Sequence, residues 1–276
     1  MPPSSRVADA LPARHAIALG LLHGPAELLP ISSSGHVTLV PWLAGWPYPE
    51  LDPELRKAFE VALHAGTAAA LLIALRSEVG EAALDFDRRR ATLVVLSFLP
   101  PAIAGLALER QIERRLGTPI SIAAGLVLGS VAMAVADLRG ATDRPRESAG
   151  AADALLLGLA QACALVPGAS RNGMTLAAAR ARGFGRADAN ALSRHTALPV
   201  IVGATVLKGV RLARRGLPPG MASRFAAGTA ASFVSTLGST WLIRQVERDR
   251  SLIPYAAYRV TLAAAVVRQV CQHPRR

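Results

Sequence analysis

The sequence predicts an all-α polytopic membrane protein made of inverted repeats with two re-entrant or broken helix segments. Three observations predict it. Of the 276 residues, 51% are hydrophobic and only 4% aromatic, with mean hydropathy +0.33; such a composition, dominated by Ala, Leu and Val, suits closely packed membrane helices. Apolar segments recur between short charged stretches. Two polar islands, one running from Glu27 to His36 and one from Pro167 to Thr175, interrupt apolar runs in corresponding parts of the two halves.

The elements follow in order. The first fifteen residues carry Pro, Ser and Arg but no long apolar core followed by a cleavage site, so no removable signal peptide is expected. Apolar segments at 17–30 and 37–44 fall short of, or break before, the ~17–25 residues of a spanning helix, and a short apolar piece ending in a Pro- and Gly-containing polar turn reads as re-entrant. Segments at 59–75, 91–108 and 119–136 complete the first half. The second half runs through 154–167, which leads into the second island, then 198–212, 225–243 and 253–270. One integral-membrane domain over 1–276 is expected, with repeat halves at about 10–138 and 151–270; a soluble helical protein with buried helices is the alternative class.

The formal charge of +12 comes almost wholly from arginine, Lys57 and Lys208 being the only lysines. Arg88 to Arg90, Arg110 with Arg114 and Arg115, Arg139 with Arg144 and Arg146, Arg211 with Arg214 and Arg215, and Arg275 with Arg276 all lie in connecting segments. Snorkelling and attraction to anionic lipid account for them. Basic residues in successive loops leave the orientation open. No base-reading aromatic motif accompanies the charge, so no nucleic-acid partner is expected. Cys163 and Cys271 lack metal-ligand spacing, imply no disulfide framework, and read as buried small hydrophobes.

Setting Pro30 on Pro167, a shift of 167 − 30 = 137 residues, brings Ser33 onto Ser170 and Thr38 onto Thr175, with several leucines in step. Interrupted apolar segments at matching places in two halves point to a central site. Helices that break at the prolines present backbone N–H groups at new N-termini, which seat anions, and Ser32, Ser33, Ser34 and Ser170 are placed to cap those ends or face the ligand. Ser33 and His36, three residues apart, share a helix face, so one can attack a phosphate while the other moves protons; either can be the nucleophile. Ser33 reads equally as a plain cap, and His36 as a buried imidazole on a carbonyl. Glu27, before the break, can hold a divalent cation or orient His36. Arg171 offers a planar fork of donors to phosphate oxygens, with Ser170, Asn172 and Thr175 beside it; Thr175 can instead bond its own helix backbone.

These residues carry a resemblance. The blocks GPAELLPISSSGHV and LAQACALVPGASRNGMTL resemble the two signature regions of the bacterial undecaprenyl-diphosphate phosphatase family, also known as bacitracin-resistance proteins, with further similarity in FEVALHAGTAAALLIAL, LSFLPPAIAGL and SLIPYAAYRVTL. The resemblance implies a polytopic enzyme of the bacterial cytoplasmic membrane, its site opening on the outer side, that removes the terminal phosphate of a C55 polyprenyl diphosphate for cell-wall assembly and bacitracin resistance. It implies a divalent cation, Mg2+ or Ca2+, and places Glu27, Ser33, His36, Ser170, Arg171 and Thr175 at functional positions, with a homodimer compatible with it. The chain departs from the pattern at His23, where the family has Glu or Gln, and at Asn172, where it has Ser. His23 is therefore a candidate ligand for a softer ion, a proton relay or a packing residue. The segment from Ser193 to Thr196 is more polar than its counterpart, and Arg194 reads as a lipid-phosphate contact or a snorkelling side chain.

Two other functions fit parts of the pattern. Broken helices in inverted repeats suit a transporter or flippase that moves polyprenyl phosphate without cleaving it. A phosphatidate-type phosphatase would share Ser34-Gly35-His36 and Ser170-Arg171, but Ala177 stands where its later His belongs.

Overall fold

Short helix N-caps and two polar breaks divide the chain into its elements. The computed structural model describes residues 10–84, 87–138, 143–248 and 251–273, apart from the side chains of 81–83, 109, 110, 113, 208 and 215. The leader reading for residues 1–9 and the headgroup roles of Arg110, Arg139, Arg215, Arg275 and Arg276 therefore lie outside the described residues. The first half contains α1 (Ala13–Leu28), α2 (Ser33–Leu43), α3 (Pro53–Ala74), α4 (Arg76–Leu84), α5 (Arg88–Leu116) and α6 (Pro119–Leu138). The second contains α7 (Ala151–Cys163), α8 (Arg171–Ala181), α9 (Arg186–Arg215), α10 (Met221–Gly238), α11 (Trp241–Arg248) and α12 (Ile253–Gln272). No strand is present among the described residues; the protein is all-α.

Local chemistry sets these boundaries. Asp52 accepts the Glu54 and Leu55 N–H groups at 3.1 and 3.2 Å and Pro53 opens α3, while Asp87 accepts the Arg90 N–H at 2.7 Å to start α5. At α7, Asp153 accepts the Gly150 N–H at 2.9 Å, a forked pair of bonds from Arg144 at 2.8 and 3.1 Å, and Arg182 Nε at 2.6 Å. Burial acts to raise this carboxyl, but the hydrogen bonds from Arg144, Gly150 and Arg182 outweigh it and hold its pKa at about 2. Arg144, assigned from sequence to the lipid surface, is thus a clamp between the halves' connecting segment and α8's end, its guanidinium also lying 4.3 Å from the Phe184 ring centre. The apolar segment at 225–243 is not one helix: it divides into α10 and α11 at Ser239 and Thr240.

Four helices are long and apolar enough to cross a membrane among the described residues: α3, the Arg88–Leu108 part of α5, α6, and the Arg186–Arg214 part of α9, with mean hydropathies from 1.3 to 2.0. Their outward faces carry large apolar side chains, among them Ile103, Leu106, Leu128, Val131 and Val206, each more than half exposed. Water would penalise such a surface and hydrocarbon would not. Cys163 and Cys271, expected in the interior, are exposed on α7 and α12, because those faces turn outward. By contrast α7, at 13 residues, rises only about 20 Å and stops well short of a ~30 Å hydrocarbon core.

Packing is reciprocal between the halves. The first helix of each half lies on a later helix of the other, α1 on α10 and α7 on α5, while α3 meets α9 and α6 meets α12. Small residues permit both crossings: a Cβ on Gly20 would stand 2.3 Å from the Gly228 carbonyl oxygen, and one on Gly158 2.7 Å from that of Leu96. The exchange brings the two breaks, after α1 and after α7, together.

Candidate active site

Both breaks end in a serine with an unusual backbone. Ser32 has φ 77° and Ser170 φ 69°, in the left-handed region that non-glycine residues avoid. Each accepts on Oγ the N–H three residues later, Gly35 at 3.3 Å and Gly173 at 3.2 Å, and each heads an 11-residue helix. Backbone strain kept at two matching turns is characteristic of functional sites. The caps correspond at a shift of 170 − 32 = 138 residues, one more than the proline register, so Ser33 stands opposite Arg171 rather than opposite Ser170.

Arg259 of α12 ties the two turns together. It is fully buried and donates to the carbonyls of Pro30 at 3.2 Å, Gly168 at 2.8 Å and Ala169 at 2.9 Å, with Gly125 of α6 at 3.4 Å. No carboxylate pairs with it among the described residues. Its charge lies directly behind the two helix N-termini and adds to their positive potential.

The Glu27 carboxylate is the hub of the site. Oε1 accepts from Arg171 Nη2 in a close ion pair, and Oε2 accepts from Ser33 Oγ in a short hydrogen bond. His64 of α3 brings Nε2 to 3.4 Å from Oε2. The other His64 nitrogen, Nδ1, lies 2.9 Å from the Glu60 carbonyl oxygen, which can only accept, so Nδ1 carries a proton. His23 is fully buried, with Nε2 at 3.3 Å from that Nδ1, and its own Nδ1 at 3.0 Å from Thr67 Oγ1 and 3.3 Å from Ser232 Oγ.

The sequence-predicted residues divide into groups. Glu27, Ser33 and Arg171 meet directly, joining the two islands. His36 does not join them: Nδ1 donates to the Ser32 carbonyl at 2.7 Å, and Nε2 accepts from Tyr258 Oη at 2.7 Å with the rings stacked. Ser32 and Ser170 are caps. Asn172 bridges the halves, donating to the Leu28 carbonyl at 3.1 Å and accepting from Ser193 at 3.0 Å. Thr175 bonds its own helix at the Arg171 carbonyl, 2.9 Å, and contacts Ser193 Oγ at 2.5 Å. Ser34 is half-buried and makes no side-chain hydrogen bond among the described residues. Arg194 pairs with Glu247 at 2.8 Å and Glu78 at 3.3 Å.

Sequence reasoning missed His64, Ser193 as a partner, Tyr258 and Arg259. An imidazole and a guanidinium inside apolar segments were the available signals. A pocket joins this hub to an apolar wall: Glu27, Arg171, Asn172, Ser193 and Arg194 line one part, and Leu71, Leu75, Ala197, Leu198, Ile201 and Ile243 the other. Its lining sets charged and polar groups against apolar ones.

A Mg2+ or Ca2+ ion would use oxygen ligands, six or more for Ca2+, or one or two carboxylates plus water for Mg2+. Among the described residues, the metal-binding geometry is confined to His23, Glu27 and His64. Two imidazoles and one carboxylate fit those hard cations poorly.

The sequence model of the family described as bacitracin resistance protein BacA matches residues 16–265. The chain belongs to the BacA family. It is 40% identical over 266 residues to an undecaprenyl-diphosphatase of Geobacter sulfurreducens, covering 92% of this chain and 96% of that protein. It is likewise 38% identical over 266 residues to the undecaprenyl-diphosphatase of Pelobacter propionicus, covering 92% and 95%. The match to the one of Trichlorobacter lovleyi is 37% over 265 residues, covering 92% and 95%. In this BacA-family chain the match spans both polar islands, α3 with His64 and α12 with Arg259.

Proposed function

We propose that the protein hydrolyses undecaprenyl diphosphate to undecaprenyl phosphate and inorganic phosphate in a bacterial membrane. The relatives named undecaprenyl-diphosphatase along nearly the whole chain support this activity, and the observation that carries the mechanism is the convergence of Ser33 and Arg171 on Glu27. Glu27 is placed to take the Ser33 proton as Ser33 Oγ attacks the terminal phosphorus. The bond from that phosphorus to the bridging oxygen breaks, and polyprenyl phosphate leaves with the proton passed on from Glu27. Water then attacks the seryl phosphate, with the carboxylate of Glu27 again positioned to accept its proton; the bond from phosphorus to Ser33 Oγ breaks, Ser33 recovers a proton from Glu27, and inorganic phosphate departs. The Arg171 donors not spent on Glu27, with the backbone N–H groups at the starts of α2 and α8, stabilise the transferring phosphoryl group. Arg259 holds those two turns at fixed separation.

His36 is the other candidate nucleophile; its Nε2 lone pair becomes free only when Tyr258 moves away. The reciprocal packing supports two halves inverted across the bilayer; we further propose that the site is reached from the outer side of the cytoplasmic membrane. The prenyl chain lies along Leu71, Leu75 and Ile201 in this reading.

The test is phosphate release by purified protein from undecaprenyl diphosphate in detergent, followed by acid quench during turnover to trap a phospho-enzyme. Release with label on Ser33 is expected. A carrier that only moves the lipid would release none, and label on His36 would reassign the nucleophile.

A further inference from the structure

We propose that His23, His64 and Glu27 form a binding site for one borderline divalent transition-metal ion of the Zn2+ or Co2+ kind, selected by its imidazole ligands over Mg2+ and Ca2+. The ligand atoms of these three residues lie within 4.8 Å of one another. The hydrogen bonds around them fix where the lone pairs point. His64 Nδ1 carries its proton toward the Glu60 carbonyl at 2.9 Å, so Nε2, 3.4 Å from Glu27 Oε2, is the ring nitrogen that gives up its proton to an ion. Because His64 Nδ1 also lies 3.3 Å from His23 Nε2, that nitrogen is an acceptor, and the His23 proton sits on Nδ1 toward Thr67 at 3.0 Å.

The two imidazoles and the carboxylate thus lie around one space, and an ion entering it takes the place of the His23–His64 contact and of the proton between His64 and Glu27. Two ligands about 2.0–2.1 Å from a tetrahedral ion stand roughly 3.3 Å apart, close to the 3.4 Å between His64 Nε2 and Glu27 Oε2. The outer hydrogen bonds repeat the arrangement that orients metal-bound imidazoles, in which the second ring nitrogen donates to a carbonyl or hydroxyl. Thr67 is itself held by Ser232 at 2.9 Å and Thr236 at 3.2 Å, and Ser232 donates to the Leu63 carbonyl at 2.9 Å, so the support extends from α3 into α10. Imidazole with one carboxylate favours zinc-like ions. Metal binding at these three side chains does not depend on phosphatase activity.

The experiment uses full-length protein purified without a polyhistidine tag, stripped with chelator and kept in detergent. Co2+ is titrated by visible absorption and by equilibrium dialysis, and Zn2+, Mg2+ and Ca2+ are added in competition. One Co2+ per chain, displaced by Zn2+ but not by millimolar Mg2+ or Ca2+, is expected. His23→Gln and His64→Gln should each weaken Co2+ binding at least about tenfold, and Thr67→Val, which keeps all three ligands, should weaken it less. His15→Gln, away from the cluster, should leave it unchanged. Absence of stoichiometric Co2+ binding by the wild type would overturn the proposal, since a proton then bridges His64 and Glu27. Binding unaltered in a folded His64→Gln protein, or displacement by Mg2+, would overturn it as well. Should both Gln variants fail to fold, the wild-type competition and Thr67→Val still decide. Phosphate release measured on the same stripped sample keeps the two readings apart: release without Co2+ binding sinks the metal site and leaves the phosphatase standing.

Discussion

Replacing Arg259 by Met tests whether the two polar turns are held as one unit. The side chain is fully buried and its guanidinium serves three carbonyls at 2.8–3.2 Å, two in the second break and one in the first. Methionine fills similar length but donates nothing, so three buried carbonyls lose their partner at a cost of about 1–3 kcal/mol each. Removing the desolvated cation returns part of that cost. A net loss of roughly 3–5 kcal/mol follows, equivalent to a fall in Tm of about 6–15 °C for a chain of this size. The neighbouring glycines are shaped for this group: a Cβ on Gly129 would stand 2.2 Å from Arg259 Nη2, and one on Gly173 2.9 Å from Nη1. Thermal unfolding in detergent and steady-state phosphate release are the assays. We expect Arg259→Met to lower both Tm and kcat, and Arg259→Lys, which keeps a charge but not the fork, to recover Tm only in part. An Arg259→Met protein with wild-type Tm and turnover would show that Arg259 does not tie the turns together.

Three other outcomes follow from the same geometry. Gly20→Ala and Gly158→Ala should each destabilise by about 1–3 kcal/mol, because the new methyl meets backbone of the partner helix in both crossings; thermal unfolding of the pair checks the reciprocal packing, and a neutral Gly20→Ala contradicts it. Tyr258→Phe should lower Tm by about 2–4 °C with kcat nearly unchanged, since one hydrogen bond to His36 of about 1 kcal/mol is lost and His36 stands apart from the Glu27 hub. Stability should fall as pH drops from about 4 toward 2. The Asp153 carboxyl is held at about 2, below its ordinary 3.8, so its contribution is complete above about 4 and disappears as it protonates. Screening limits the effect to about 1 kcal/mol, and Asp153→Asn should flatten this part of a Tm-against-pH curve.

The broken helices were legible because proline, serine and glycine inside apolar runs interrupt the helical hydrogen-bond ladder, which a membrane tolerates only where the backbone is buried in protein or lines a cavity. Length pointed the same way, since 13–16 residues cannot span a bilayer. Arg171 and Glu27 were legible because an ionised side chain in an apolar run is costly. What the sequence concealed was pairing across space. Helical spacing put Ser33 beside His36, but the left-handed Ser32 turns the chain so that Ser33 reaches back across the break to Glu27 while His36 faces Tyr258. His64 reaches Glu27 only through the packing of α3 near α1, and Arg259 reaches both turns from the last helix. The division at Ser239 had no proline to announce it. Cys163 and Cys271 misled because an apolar segment in a membrane has an outward face that composition alone does not separate from its inward one.

The proposed mechanism rests above all on Arg171, which is anchored on Glu27 opposite Ser33 and in that proposal stabilises the transferring phosphoryl group. The decisive measurement is the rate of phosphate release from undecaprenyl diphosphate by Arg171→Ala, compared with wild type at matched fold and purity. We expect kcat to fall by at least about 10³-fold, with Arg171→Lys recovering a minor part. Release by Arg171→Ala at the wild-type rate would remove Arg171 from the mechanism and the mechanism with it.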